Sequence, residues 1–177
     1  MSLILLRHTR PEVPEGVCYG RADLPLACGF DAAAEAILAG LPEVSRVVTS
    51  PLSRCARLAE RIARARDLDS ETDARIAEMD FGSWEQLRWD AVPRAELDAW
   101  AAEFHGARPH GGESVAMLAA RVEAALDGTP VTDPPALWVT HAGVVKAACA
   151  TRSAGRGWET RLGFGRWLVL PASGNDP

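Results

Sequence analysis

Short fully apolar runs alternate along this chain with longer segments in which apolar residues recur every three or four positions. Ser2 to Leu6 and Ala136 to Thr140 read as strands buried on both faces, and Arg46 to Thr49 as a third. Between the first and third of these, Phe30 to Leu41 carries Ala33, Ile37 and Leu41 on one helical face and ends at Pro42. From Leu52 onward Cys55, Leu58 and Ile62 repeat at helical spacing, while Arg54, Arg57, Arg61 and Arg64 form a stripe on another face. Ser114 to Leu126 and Val144 to Thr151 read as two more amphipathic helices. Gly20 to Pro25 is a polar loop, with Asp23 a turn residue. From Trp84 to Ala91 and from Arg94 to His105 the tryptophan- and charge-rich sequence predicts a helical insertion, spanning roughly 83–112 and closed by Gly111-Gly112. Trp158 to Leu162 and Arg166 to Leu170 read as paired terminal strands about Gly163 and Gly165. Alternating strands and helices predict an α/β fold, a three-layer sandwich with a mostly parallel central sheet, built as a single domain across residues 1–177.

Composition narrows the partners. At 177 residues and 47% hydrophobic the chain suits one sizeable core. A formal net charge of -5 argues against a nucleic-acid surface, which needs clustered positive charge. Lys146 is the sole lysine, so nearly all positive charge is arginine. Cys18, Cys28, Cys55 and Cys149 form no Cys-x-x-Cys pair and no regular spacing, so neither a metal site nor a disulfide framework is expected. The amino-terminal apolar run is too short for a signal-peptide core, and no run approaches a membrane span. The expectation is a cytoplasmic protein, monomeric or homodimeric, with no cofactor, no metal, no nucleic-acid partner and no membrane contact.

Two histidines close buried strands. Arg7-His8-Thr9 follows Leu3 to Leu6, and His141-Ala142-Gly143 follows Leu137 to Thr140 before a helical pattern. Open α/β sheets assemble their sites at such carboxyl ends. If the two strands are neighbours, His8 and His141 face each other across a pocket with Arg7 beside them. Arg54, in the first turn after Ser50-Pro51-Leu52-Ser53, can join them, where a helix N-terminus also favours an anion.

Four motifs then occur in order: Leu6-Arg7-His8-Thr9, Ser50 to Ala56, Glu78-Met79-Asp80-Phe81-Gly82-Ser83-Trp84-Glu85, and Val139 to Val144. Together they resemble the histidine phosphatase (phosphoglycerate mutase-like) superfamily over essentially the whole chain. Tyr19 to Leu26 and Gly111-Gly112-Glu113-Ser114 most resemble its α-ribazole phosphatase members. Thr9, Leu58 and Gln86 depart from the superfamily's usual Gly, Thr and Gly.

The resemblance implies a metal-independent phosphomonoesterase acting on a small-molecule phosphate monoester. His8 is then the nucleophile that carries a phosphohistidine. Arg7, Arg54 and His141 hold the phosphoryl oxygens, with Arg21 and Ala142 as further substrate-binding candidates. Glu78 is the general acid and base, with Glu85 in reserve. Trp84 and Trp89 are the candidates for the pocket rim, while Arg10, His105 and His110 are expected at the surface. A phosphoglycerate mutase, a broad-specificity phosphatase and a non-catalytic phosphate-binding domain are the alternatives. The last predicts loss of at least one of Arg7, His8, Arg54, Glu78 and His141, and all five are present.

Overall fold

The computed structural model describes residues 2–153 and 155–171. Five strands form one sheet: β1 (Ser2–Arg7), β2 (Arg46–Thr49), β3 (Ser70–Thr72), β4 (Ala136–Thr140) and β5 (Trp167–Pro171). Their order is β3-β2-β4-β1-β5, parallel except for β5, which runs antiparallel to β1. Five helices accompany it: α1 (Phe30–Gly40), α2 (Ser53–Arg66), α3 (Arg94–Ala102), α4 (Val115–Asp127) and α5 (Ala142–Arg152).

Successive side chains of a strand point to opposite faces, and β1 divides accordingly. Ile4 and Leu6 join Val47, Leu137 and Val139 against α1 and α2, whereas Leu3 and Leu5 join Val48 and Trp138 against α4 and α5. The sheet is thus covered on both faces, a three-layer α/β sandwich. Ser114 caps α4, its Oγ accepting from the Met117 N–H at 3.2 Å. At the start of α2 the Asp23 carboxylate accepts from the Ser53 N–H at 2.9 Å and the Ser53 hydroxyl at 2.7 Å. The anion favoured by that helix end is therefore supplied from within the chain.

Two sequence expectations need correction, and one strand was not expected. Trp158 to Leu162 is no strand: Arg156–Glu159 is a 3₁₀ turn, and β5 pairs with β1 instead of forming a terminal hairpin. A Cβ at Gly157 would lie 2.1 Å from the Ala150 N, so this turn packs directly on the backbone of α5. Trp84 to Ala91 is not a helix but parts of two 3₁₀ turns, Gly82–Trp84 and Trp89–Ala91. Gln86 lies between them at φ 66°, a left-handed conformation that ends any helix there. The short edge strand β3, all of whose residues are exposed, has no apolar run to announce it.

Candidate active site

Three adjacent strand ends supply the floor of the site. The His8 N–H donates to the Thr140 carbonyl at 3.0 Å, carrying the β1–β4 pairing one step past Arg7. His8 and His141 therefore lie side by side, ring centroids 5.1 Å apart. On the other flank, Ser50 follows β2, and its Oγ is 2.7 Å from His141 Nε2. Sequence reasoning gave Ser50 no role. The signal was its place, first after the strand that flanks β4.

His8 Nδ1 is 2.6 Å from the Thr9 carbonyl. A carbonyl only accepts, so Nδ1 carries the proton and Nε2 keeps its lone pair. Burial pushes the His8 pKa down to about 3; the Thr9 carbonyl opposes this and Arg54 and Arg7 reinforce it, so the ring is neutral at neutral pH. His141, fully buried, is likewise held well below its ordinary value, first by burial and then by His8 and Arg54.

Two arginines adjoin this pair. Arg7 Nη1 donates to the Leu162 carbonyl at 2.8 Å, and its guanidinium lies 3.8 Å over the Phe164 ring. Arg54 is closed to solvent and donates to the carbonyls of Gly20 at 2.6 Å and Ala22 at 2.7 Å. Those bonds use two of its five N–H groups. The buried Nε atoms of both arginines and the buried Thr9 Oγ1 have no partner among the described residues. Unpaired buried donors beside neutral imidazoles are an arrangement that an oxyanion satisfies.

Glu78 reaches the site from a loop after the 3₁₀ turn Ala74–Ile76. Its Oε1 accepts from the Met79 N–H at 2.9 Å and its Oε2 from the Gly143 N–H at 3.1 Å, in the first turn of α5. A Cβ at Gly143 would lie 2.2 Å from Glu78 Oε1, so the approach requires glycine. Arg121 secures this loop from behind, donating to the carbonyls of Arg75, Ala77 and Glu78 and making a two-pronged pair with Glu113 at 2.6 and 2.8 Å. Sequence reasoning missed both partners, because their separation of eight positions spans a helix cap and follows no surface-pair rule.

Glu85 has a different office. Its carboxylate accepts N–H bonds from Gly20 and Arg21 at 2.9 Å and from Ala22 and Phe81 at 3.1 Å. A carboxylate so engaged holds the 20–22 loop, whose carbonyls Arg54 holds from the other side. Of the two, only Glu78 lines the cleft beside His8.

That cleft is about 290 Å³, with Arg7, His8, Glu78 and Ala142 at one end. Arg54 and His141 are closed to solvent and stand behind His8, outside the set of residues that line the cleft. Tyr19, Phe81, Trp89, Trp100, Phe104 and Trp158 supply an aromatic wall, and Lys146 lines the cleft as well. Arg21 points elsewhere, into a separate pocket with Asp80, Arg108 and Glu113. Trp89 sits at the rim, 36% exposed, but Trp84 is buried and its Nε1–H donates to Glu96 at 2.7 Å. His110, expected at the surface, is also buried: its Nδ1 accepts from the Gly112 N–H at 3.0 Å, and its ring stacks edge-on against Trp84. The Gly-Gly break folds the chain back there, with a Cβ at Gly112 falling 2.2 Å from the Asp80 carbonyl. Among the described residues no three His, Cys, Asp or Glu side chains cluster to hold a metal, and no helix is long and apolar enough to cross a membrane.

Residues 3–166 match the histidine phosphatase superfamily, branch 1. The chain belongs to that superfamily. A probable phosphoglycerate mutase of Proteus mirabilis is 32% identical over 135 residues, 72% of this chain and 62% of the mutase. A bifunctional protein of Mycobacterium tuberculosis is 37% identical over 131 residues, 71% of this chain and 36% of its own length. The chain thus spans under two thirds of these relatives. Among solved structures, protein TTHB049 of Thermus thermophilus superposes with a TM-score of 0.78 at 28% identity, covering 96% of this chain and 92% of that one. A mycobacterial glucosyl-3-phosphoglycerate phosphatase complexed with VO3 gives 0.80 at 26% identity with the same coverage.

Proposed function

We propose that the protein is a metal-independent phosphomonoesterase that works through a phosphohistidine on His8. The observation that carries this reading is the state of that ring: neutral, with Nδ1–H committed to the Thr9 carbonyl and Nε2 left as a nucleophile. In the first step the Nε2 lone pair attacks phosphorus, the P–O ester bond breaks, and the Glu78 carboxylic acid gives its proton to the departing oxygen. In the second the Glu78 carboxylate takes a proton from water, whose oxygen attacks phosphorus as the N–P bond breaks, releasing inorganic phosphate and neutral His8. Arg7 and Arg54 stay charged throughout and offset charge on the phosphoryl oxygens, with His141 and the first turn of α5 alongside.

For the leaving group, the aromatic wall favours a planar or apolar body. Of substrates that fit, α-ribazole 5′-phosphate is the one that the Tyr19–Leu26 and Gly111–Ser114 motifs support, and stacking of its base on Trp89 contributes roughly 1–3 kcal/mol. The test is a hydrolysis screen over α-ribazole phosphate, sugar phosphates, nucleotides and phosphoglycerates, with phosphoenzyme trapping. Acid-labile label on the wild type, and its loss from His8→Ala together with at least about a thousandfold of turnover, is expected. Label retained by His8→Ala overturns the nucleophile. Equal kcat/KM for α-ribazole phosphate and unrelated monoesters leaves a broad-specificity phosphatase.

A further inference from the structure

Lys146 is the sole lysine among 177 residues, and it lines the cleft. It lies on α5 one turn beyond Gly143, whose N–H holds Glu78. One helical turn is about 5.4 Å, and helical side chains lean toward the N-terminus of their helix, so the Lys146 stem runs along the cleft face of α5. The cleft that it lines carries Trp100, Phe104, Trp158 and Leu118 among its apolar residues. The nearest acidic lining residue, Glu78, is engaged by two backbone N–H groups, and no carboxylate of the described residues forms a salt bridge with Lys146. The phosphoryl end already has two arginines. A further cation, half-buried in the lining of a largely aromatic cleft, is surplus to holding one phosphate.

We infer that Lys146 reads a second anionic group, a carboxylate or a further phosphate, on the leaving group of the substrate. This rests on the phosphomonoesterase reading and adds a substrate class to it: esters whose apolar body meets the aromatic wall and whose own negative charge pairs with the ammonium. It ranks α-ribazole phosphate, with its uncharged base, below an anion-bearing ester of the same size. Lysine suits the task, being a point charge on a flexible stem that can follow leaving groups of differing length.

The experiment uses non-hydrolysable probes, so that it does not depend on turnover. Benzylphosphonate, 3-carboxybenzylphosphonate and 4-carboxybenzylphosphonate are titrated against the wild type, Lys146→Met and Lys146→Arg, following quenching of the cleft tryptophans. Methionine keeps the length and apolarity of the stem. At least one carboxylated probe should bind the wild type about fivefold more tightly than benzylphosphonate, the gain of a partly exposed ion pair. Lys146→Met should abolish that gain without changing benzylphosphonate affinity, Lys146→Arg should retain most of it, and raising salt should shrink it. No gain for either isomer, or a gain that survives in Lys146→Met, overturns the inference. A Lys146-dependent gain in a protein that hydrolyses no ester overturns the phosphatase reading alone, and hydrolysis without the gain overturns this inference alone.

Discussion

The two ends of the cleft are built by different means. At the histidine end, proposed to take the phosphoryl group, His8, Ser50 and His141 are the residues that follow three neighbouring strands, so sheet register sets their relative positions. At the aromatic end, Phe81 precedes one 3₁₀ turn and Trp89 opens another, Trp100 lies on a short helix, and Trp158 comes from a turn packed on α5. Edge-on aromatic contacts link them, Phe81 to Trp89 at 5.9 Å and Trp84 to Trp100 at 5.8 Å. On the proposed function the lesson is a division of labour: rigid register for the groups assigned to the chemistry, and side-chain packing for the surface assigned to selection.

The largest effect should test whether chemistry stays at the strand-end side. Glu78→Gln should lower kcat/KM, which reports the first step, on an alkyl phosphate by about a hundredfold or more while costing p-nitrophenyl phosphate under about tenfold, because nitrophenolate needs little protonation. Glu85→Gln should lose activity equally on both esters, with a lowered Tm, since four backbone N–H groups lose a charged acceptor. A leaving-group-dependent loss in Glu85→Gln alone would exchange the two roles.

Acid stability divides the ends next. His8 and His141 at one end and His110 at the other all have pKa values lowered by burial. Below an unfolded value near 6.5 the unfolded chain binds more protons than the folded one, so stability is lost as pH falls from about 6.5 toward the folded values. Each histidine contributes up to ~1.4 kcal/mol per pH unit. In Tm measured from pH 7.5 to 4.5, His8→Gln and His141→Gln should each flatten the curve more than His110→Gln, which is held less far below its ordinary value. The opposite order would put the more strongly held neutral histidine in the aromatic end.

Selection should fail separately from chemistry. Trp89→Ala should cost about tenfold in kcat/KM on esters with aromatic leaving groups and little on a small sugar phosphate. A uniform loss on both would mean that the wall supports the phosphoryl end as well. The smallest effect concerns Gln86, whose φ of 66° suits glycine. Gln86→Gly should raise stability by up to about 1 kcal/mol in denaturant unfolding at unchanged kcat, and a loss of stability would show that the side chain repays its backbone strain.

What could be read from sequence follows the same division. Arg46 to Thr49 and Ala136 to Thr140 were legible to the residue, because strands covered on both faces are unbroken apolar runs. His8 and His141 were legible from their positions after such runs. Trp84 and His110 were not: nothing local distinguishes a tryptophan at the rim from one inside, and His110 is buried only because Gly82 and Gly112 let two backbones meet. Glu85 was ambiguous for a related reason, as its backbone partners at Gly20 and Ala22 lie more than sixty residues away.

The 20–22 loop carries a consequence for how the molecule could diversify. Its carbonyls belong to Arg54, on the side of the sheet, and its N–H groups to Glu85, on the side of the aromatic wall. Three consecutive peptide units thus act as a keyed joint between a fixed chemistry and an exchangeable lining. A chimera that imports another protein's 82–113 segment should take on that protein's preference among leaving groups. It should stay active only where the graft brings a carboxylate to position 85, since without it the loop, and with it the orientation of Arg54, comes loose.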